Sequence, residues 1–304
     1  LRKVDWVSIP QILVTADPLF FVLLLVSITV EQLIRAWRWQ LILKGHAVPF
    51  WESYRGLLLG YFFNNVLPAR AGEFIRAGYL GRKGILSSSE AFGSVVLERF
   101  ADGIVVVCFI FASLVLFPVS PVIRQAGYSA MVFYFLVLIA IIFLQFRKEW
   151  MGRVTSFFLG FLPERFRERA VTAQDSFIGG LGLIRDPSRF LLVVVVSFVA
   201  WSASVFSYYL ALKIFHLPLG LDAAILLIAV LSLGAMIPSS PGMIGIFEYC
   251  CMLVLSDMLQ VQREVAASFG LFTHFVSYVY ILAIGIAILA CENLSFHELQ
   301  SHPR

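Results

Sequence analysis

Apolar residues fall in long blocks separated by short polar clusters. Residues 18–43, 91–117, 126–146, 190–212 and 265–291 each reach the roughly 20 residues a helix needs to cross hydrocarbon. Two further segments are apolar but interrupted. Residues 51–66 carry Glu52 and Arg55 and run through Asn64-Asn65 into Leu67-Pro68-Ala69-Arg70-Ala71-Gly72-Glu73-Phe74-Ile75-Arg76. Residues 221–237 and 244–258 are separated by Pro238-Ser239-Ser240-Pro241-Gly242. A transmembrane β-barrel would show alternating segments of about 10 residues instead. The pattern predicts an all-α multi-pass membrane protein with about five full spans and two shorter, broken segments.

Composition agrees: 60% of residues are hydrophobic, 14% are charged, and the mean hydropathy is +0.88. The net charge of +4 is too small to point to nucleic acid and suits basic cytoplasmic loops. Cys108, Cys250, Cys251 and Cys291 lie in or beside apolar runs, with neither metal-ligand nor disulfide spacing. No cofactor or metal is expected.

Lys and Arg set the expected orientation. The longest basic region, 147–189, is read as a cytoplasmic loop. Tracing outward from it, 118–125 and 213–220 face outside, and 70–90 and the C-terminus face inside. Arg35, Trp37, Arg38, Trp39 and Lys44 end the first span and read as an interfacial anchor. With both of its ends inside, 44–90 is predicted to be a re-entrant hairpin from the cytoplasm, and 221–258 one from the outside. Broken segments in opposite halves, entering from opposite faces, are the pointer to an inverted-repeat transporter. Leu-Pro-Ala-Arg-Ala-Gly-Glu-Phe and Ile-Pro-Ser-Ser-Pro-Gly-Met-Ile-Gly-Ile-Phe-Glu echo one another faintly.

Non-helical backbone at membrane depth must be buried in protein or line a wet cavity. The two breaks are therefore the candidate site. Arg70, Glu73 and Arg76 recur every three residues and would share a face if helical. Beside a helix start they would suit a phosphate, because the planar guanidinium fork holds two oxygens at once. A surface salt-bridge ladder is the plainer reading. Glu98, Arg99 and Asp102 lie in one half of a spanning helix, where ionisable groups need partners. They could lock helices together or act as counter-charges for Arg70 or Arg76. Glu248 follows Gly242 and Gly245, and could couple protons or cations or be capped by backbone N–H groups. The stripes His274/Ser277/Tyr278 and Ser204/Tyr208 suit interhelical hydrogen bonds. The sequence has no His-Glu-x-x-His, Gly-x-Ser-x-Gly or Walker loop, so hydrolysis and ATP-driven pumping are not expected.

The ordered set Leu1-Arg2-Lys3-Val4-Asp5-Trp6, Arg35-Ala36-Trp37-Arg38-Trp39, Asn65 to Glu73 with Arg76, Glu98-Arg99 with Asp102, and Pro238 to Gly242 with Gly245 and Glu248 resembles one family. It is the flippase-like membrane domain of lysylphosphatidylglycerol synthases and their stand-alone bacterial and archaeal relatives. The resemblance implies a single integral membrane domain over 1–304, with one more spanning helix expected before Leu1. It also implies lipid translocation: in the two-domain synthases such a domain moves aminoacylated phosphatidylglycerol between leaflets. With no soluble aminoacyl-transfer domain after Arg304, the chain is not expected to be a complete synthase. Some stand-alone relatives are associated with isoprenoid-linked or hopanoid lipids.

The expectation is a non-enzymatic lipid transporter of the cytoplasmic membrane, acting on an anionic phospholipid or an isoprenoid-linked lipid. Asn65, Arg70, Glu73, Arg76, Ser239, Ser240 and Glu248 would contact the head group. Glu98, Arg99 and Asp102 would order them. A second copy or an envelope-lipid biosynthetic enzyme would be the protein partner. Two other readings stand beside it. One is an intramembrane enzyme on a lipid phosphate, with Arg70 as clamp and Glu73 or Glu98 as acid or base. The other is a non-transporting scaffold for envelope-lipid or glycan synthesis.

Overall fold

The structure is a computed structural model that describes residues 17–43, 46–68, 70–118, 121–146, 164–237 and 240–292. The described residues are helical throughout and contain no strand. In chain order the helices are α1 (Pro18–Ile42), α2 (Phe50–Val66), α3 (Gly72–Arg82), α4 (Ser88–Leu116), α5 (Pro121–Phe146) and α6 (Glu164–Gly180). They continue with α7 (Pro187–Ile214), α8 (Leu221–Gly234), the short α9 (Ile246–Met252) and α10 (Arg263–Cys291). The first six N-terminal residues quoted above and 147–163 lie outside the described residues.

Local chemistry sets the helix starts. Asp17 accepts a hydrogen bond from the Leu19 N–H at 2.8 Å ahead of Pro18, and Asp186 accepts from the Arg189 N–H at 3.1 Å ahead of Pro187. Ser87 caps α4 by accepting from the Glu90 N–H at 3.1 Å. Side-chain acceptors followed by Pro or an acidic first turn are the usual helix-entry signals. Leu67, before Pro68, is extended with ψ 148°, as proline imposes on its predecessor, and α2 stops there.

Six segments among the described residues are long and apolar enough to cross a bilayer. Five coincide with the five full spans expected from the sequence, and the sixth, Pro241–Met258, comes from the second broken segment. That segment is bent inside its first turn: Gly242 and Gly245 have φ of 67° and 92°. Beyond the bend, α9 continues into a π-helical turn, Leu253–Met258. The segment has the length of a span only when counted through the bend: the 13 residues of α9 and this turn beyond it give a rod of about 20 Å, short of the roughly 30 Å hydrocarbon core. Helices α2 and α3 likewise form a hairpin whose arms have 17 and 11 residues.

Helices α1 and α10 run side by side in the same direction. Phe21 meets Phe272 at 5.9 Å, and two turns on the Tyr280 hydroxyl donates to Thr29 Oγ1 at 2.9 Å. Early residues of both helices (Leu24, Ile28, Phe269, Val276) pack in one core with α7, α8 and α9. Late residues (Ala36, Trp39, Ile281, Ile288) pack in a second core with α2, α3 and the start of α4. The two hairpins therefore occupy opposite ends of the bundle. Helix α5 lies at the edge and exposes Val132, Phe133, Phe135, Leu136 and Ile139, the apolar surface a bilayer covers.

The basic region 147–189, read from sequence as a loop, contains α6. Its last turn packs on α4: a Cβ on Gly180 would lie 2.1 Å from the Glu90 carbonyl oxygen, and one on Gly93 2.2 Å from that of Phe177. Phe177, Ile178 and Leu181 supply the apolar face that draws it there.

Candidate functional site

At the centre of the bundle sits a network of eight charged side chains. Helix α1 supplies Glu31, Arg35 and Arg38, α3 supplies Glu73 and Arg76, and α4 supplies Glu98, Arg99 and Asp102. Arg38 is 0% exposed. It donates to Glu98 at 2.8 Å, to both oxygens of Asp102, and to Ser197 Oγ on α7 at 3.0 Å. Arg76, also 0% exposed, reaches Glu98 at 3.1 Å and Glu73 at 2.9 Å, with the Trp39 ring 4.9 Å away. Arg99 meets Glu98 at 2.5 Å and Asp102 at 3.4 Å. Arg35 is held by Glu31 at 2.8 Å and donates to Ser204 at 3.1 Å, and the Trp201 N–H donates to Asp102 at 2.8 Å.

Four arginines thus face four carboxylates. Charges taken out of water require close partners, and here the formal charge sums to zero. The interfacial anchor expected at the end of the first span is not what this structure contains. Of its described members Trp37 is exposed, at 46%, whereas Arg35, Arg38 and Trp39 are buried; Lys44 lies outside the described residues. Glu31, Arg35 and Arg38 are spaced four and three apart, so one face of α1 carries all three to α4 and α7. That spacing was the signal available in the sequence.

The hairpin tips carry the second feature. The shared helical face expected for Arg70, Glu73 and Arg76 does not form. Arg70 precedes α3 with φ of 54°, so its side chain leaves in another direction and donates to the Ala235 carbonyl at 2.7 Å. Asn64 of α2 accepts from the Gly72 N–H at 2.9 Å and so closes the hairpin by capping α3. The Tyr278 hydroxyl on α10 donates to the Asn65 carbonyl at 3.0 Å. The tip of the first hairpin is therefore tied both to the end of α8 and to α10.

Between the tips lies a cavity of about 540 Å³ lined by Tyr61, Asn64, Asn65, Arg70, Glu73, Arg99 and Ser240, with Ala235 to Ile237 and Pro241 to Met243. Arg99, 35% exposed, and Glu73 are the members of the network that also reach this space. A second cavity of about 310 Å³ is mostly apolar, walled by Leu24, Ile28, Tyr208, Ile228, Leu231 and Phe247, with Glu31, Gln32, Ser204 and Ser207. Ala235 and Met243 line both, so a polar chamber and an apolar one share a wall.

The predicted site residues divide accordingly. Asn65, Arg70, Glu73 and Ser240 come together around the polar cavity. Arg76 is sealed inside the network and does not line it. Glu248 faces a different pocket of about 270 Å³, accepting from the Gly245 N–H at 2.7 Å and meeting His274 Nδ1 at 2.6 Å. Ser239 lies outside the described residues. Glu98 and Asp102 are counter-charges chiefly to Arg38, which reading the sequence had assigned elsewhere, and Glu98 also meets Arg76, whereas Arg99 is itself paired with both carboxylates. No group of metal-ligating side chains occurs among the described residues. Chemically, two guanidinium groups with amide and hydroxyl neighbours can hold an oxyanion by charge-assisted hydrogen bonds.

The profile of the family described as Lysylphosphatidylglycerol synthase TM region matches residues 1–285. The UPF0104 membrane protein of Methanothermobacter thermautotrophicus is 24% identical over 306 aligned positions, covering 93% of this chain and 88% of the relative. That of Pyrococcus horikoshii is 25% identical, covering 93% and 90%. A third, from Methanocaldococcus jannaschii, is 30% identical over 99 positions, 31% of this chain. No solved structure matches the chain significantly. The extent of the profile match, running through both hairpins and the charge network, establishes that this chain belongs to the family of lysylphosphatidylglycerol synthase transmembrane regions.

Proposed function

We propose that this protein carries an anionic, phosphate-bearing lipid across the cytoplasmic membrane, with the head group passing through the cavity between two re-entrant hairpins. The observation that supports this reading is the pairing of chambers. A polar space with Arg70 and Arg99 adjoins an apolar one across Ala235 and Met243, matching the two chemistries of a lipid. Moving a phosphate through hydrocarbon unaided would forfeit its hydration at a cost of many kcal/mol. A wet, cationic passage avoids that cost while the acyl chains remain in apolar surroundings. Arg70 is the residue assigned to the head group, because it is exposed and its present acceptor is a single carbonyl. Arg76, paired with Glu98 of α4, ties the hairpin to the bundle. Membership of a family named for a lipid synthase's membrane region agrees with a lipid as cargo.

The test is mass spectrometry of lipids retained by the purified wild type and by Arg70→Ala, followed by transbilayer assays in vesicles of the enriched lipid. Enrichment of one anionic lipid that the substitution abolishes, with loss of its movement, is the expected result. Matching lipid profiles together with unchanged transbilayer rates would refute the assignment.

A further inference from the structure

His274 and Glu248 form the second buried ionisable group, and the head-group reading makes no use of them. His274 is flanked by two acceptors. Its Nε2 lies 2.8 Å from the Gly242 carbonyl oxygen, and its Nδ1 lies 2.6 Å from Glu248 Oε1. A carbonyl can only accept, so Nε2 carries a hydrogen. The contact at Nδ1 then requires one more proton, held either on the imidazole or on the carboxyl. Without it, a nitrogen lone pair would face a carboxylate oxygen. The other neutral tautomer only moves the conflict to Gly242. Loss of this one proton therefore breaks one of the two contacts, whichever tautomer remains.

Glu248 is the less free of the two partners. Its other oxygen accepts from the Gly245 N–H at 2.7 Å and so caps α9, whereas Gly242 belongs to an irregular turn. That turn has left-handed backbone at Gly242 (φ 67°), Met243 (φ 62°) and Gly245 (φ 92°). For Met243 this conformation is unfavourable in itself, so outside contacts must hold it. His274 supplies one of them. Gly242 and Met243 line the polar cavity, and Met243 the apolar one as well. The hydrogen bond of His274 thus reaches the wall between the chambers.

The surroundings suit a site for a proton. Phe247 stacks on the imidazole at 4.5 Å, a position that favours a cation. The pocket of about 270 Å³ lined by Ile244, Glu248, Leu271, His274, Phe275 and Tyr278 contains neither lysine nor arginine. The other titratable groups about the pair are Tyr278 of α10, Cys250 and Cys251 of α9, and Tyr208 of α7 behind Phe247. From α2 comes Tyr61, through the adjoining cavity with Arg70, Glu73 and Arg99. Helix α8 carries no ionisable residue after Asp222 in its first turn.

We propose that Glu248 and His274 are a proton-binding site that holds the Pro241–Gly245 turn, and that losing the proton releases the wall of the inter-hairpin cavity. The inference does not depend on what the cavity carries, and its test needs no transport assay.

The full chain, labelled with 15N-histidine and placed in nanodiscs, is followed by NMR between about pH 5 and 9, the range in which a histidine titrates. His274→Gln identifies the signal among the five histidines. Glu248→Gln keeps the shape of the carboxyl and removes its charge. The expected result is one protonation step at His274, moved by about one pH unit or more in Glu248→Gln, as for coupled groups. In parallel, the maleimide reactivity of Ile244→Cys is read on its own peptide, relative to the same reporter in His274→Gln. It should rise severalfold across the step. An His274 signal unchanged over the range, or a step indifferent to Glu248→Gln, overturns the proton site. Reactivity at Ile244→Cys that ignores the step overturns its link to the turn. Should His274→Gln not fold, substituting the other four histidines instead leaves His274 as the single labelled signal, and its titration decides the first point.

Discussion

Replacing Arg38 by methionine would test the central network directly. The side chain is 0% exposed, and its nitrogens serve Glu98, Asp102 and Ser197. Methionine fills much of the volume, so the chief change is electrostatic. Four arginines against four carboxylates become three against four, and one negative charge is left without its partner in a buried site. Removing one member of a buried pair costs about 3–5 kcal/mol. For a helical domain of this size that corresponds to a fall of about 10 °C in the unfolding midpoint. Asp102→Asn alone leaves the opposite excess and should cost a comparable amount. The double variant Arg38→Met/Asp102→Asn restores neutrality, so it should lose less than the sum of the singles, by about 1–3 kcal/mol. Thermal unfolding in detergent, followed by tryptophan emission, is a suitable assay. Trp201 donates to Asp102 at 2.8 Å and Trp39 lies under Arg76 at 4.9 Å, so the probes touch the network. A midpoint unchanged within about a degree for Arg38→Met would refute the reasoning. So would a double variant that loses the full sum, because the charges would then not be compensating one another.

Two glycines of α3 give a paired test. A Cβ on Gly72 would lie 1.9 Å from the Gly60 carbonyl oxygen, backbone against backbone, whereas one on Gly78 meets nothing within 4 Å. Gly72→Ala should force the α2–α3 hairpin apart and cost about 1–3 kcal/mol, while Gly78→Ala should be neutral or slightly stabilising; both are read by thermal unfolding. Glu292→Gln removes ion pairs to Arg55 and Lys83 at 2.9 and 2.6 Å. Because both cations are partly exposed, the same melt should change by less than about 1 kcal/mol. Glycine 242 is expected to tolerate no side chain. Its φ is 67° and a Cβ would lie 2.6 Å from the Tyr278 ring, so Gly242→Ala should disturb lipid retention, measured by mass spectrometry, even in protein that still folds.

Much of the architecture is legible along the chain because hydrocarbon makes a local demand. A spanning helix must satisfy its own backbone and present apolar side chains over about 20 residues, so five spans and two interruptions can be read without knowing any contact. Proline and glycine mark the interruptions for equally local reasons, at Pro68 and at Gly242 and Gly245. The division of the arginines could not be read this way. Arg38 and Trp37 are neighbours in sequence, yet one is buried among carboxylates and the other faces outward. Arg70 and Arg76 stand in one motif, yet the left-handed backbone at Arg70 sends it to Ala235 while Arg76 sinks onto Glu98. Those fates depend on partners 22 to 165 residues away, brought together only when α1, α3, α4, α7 and α8 pack. The sequence by itself determined where the chain crosses and where it breaks, through the hydropathy of each segment. The tertiary structure decided which charges neutralise one another and which are left to line a cavity, because a buried charge is stable only beside a partner that packing supplies.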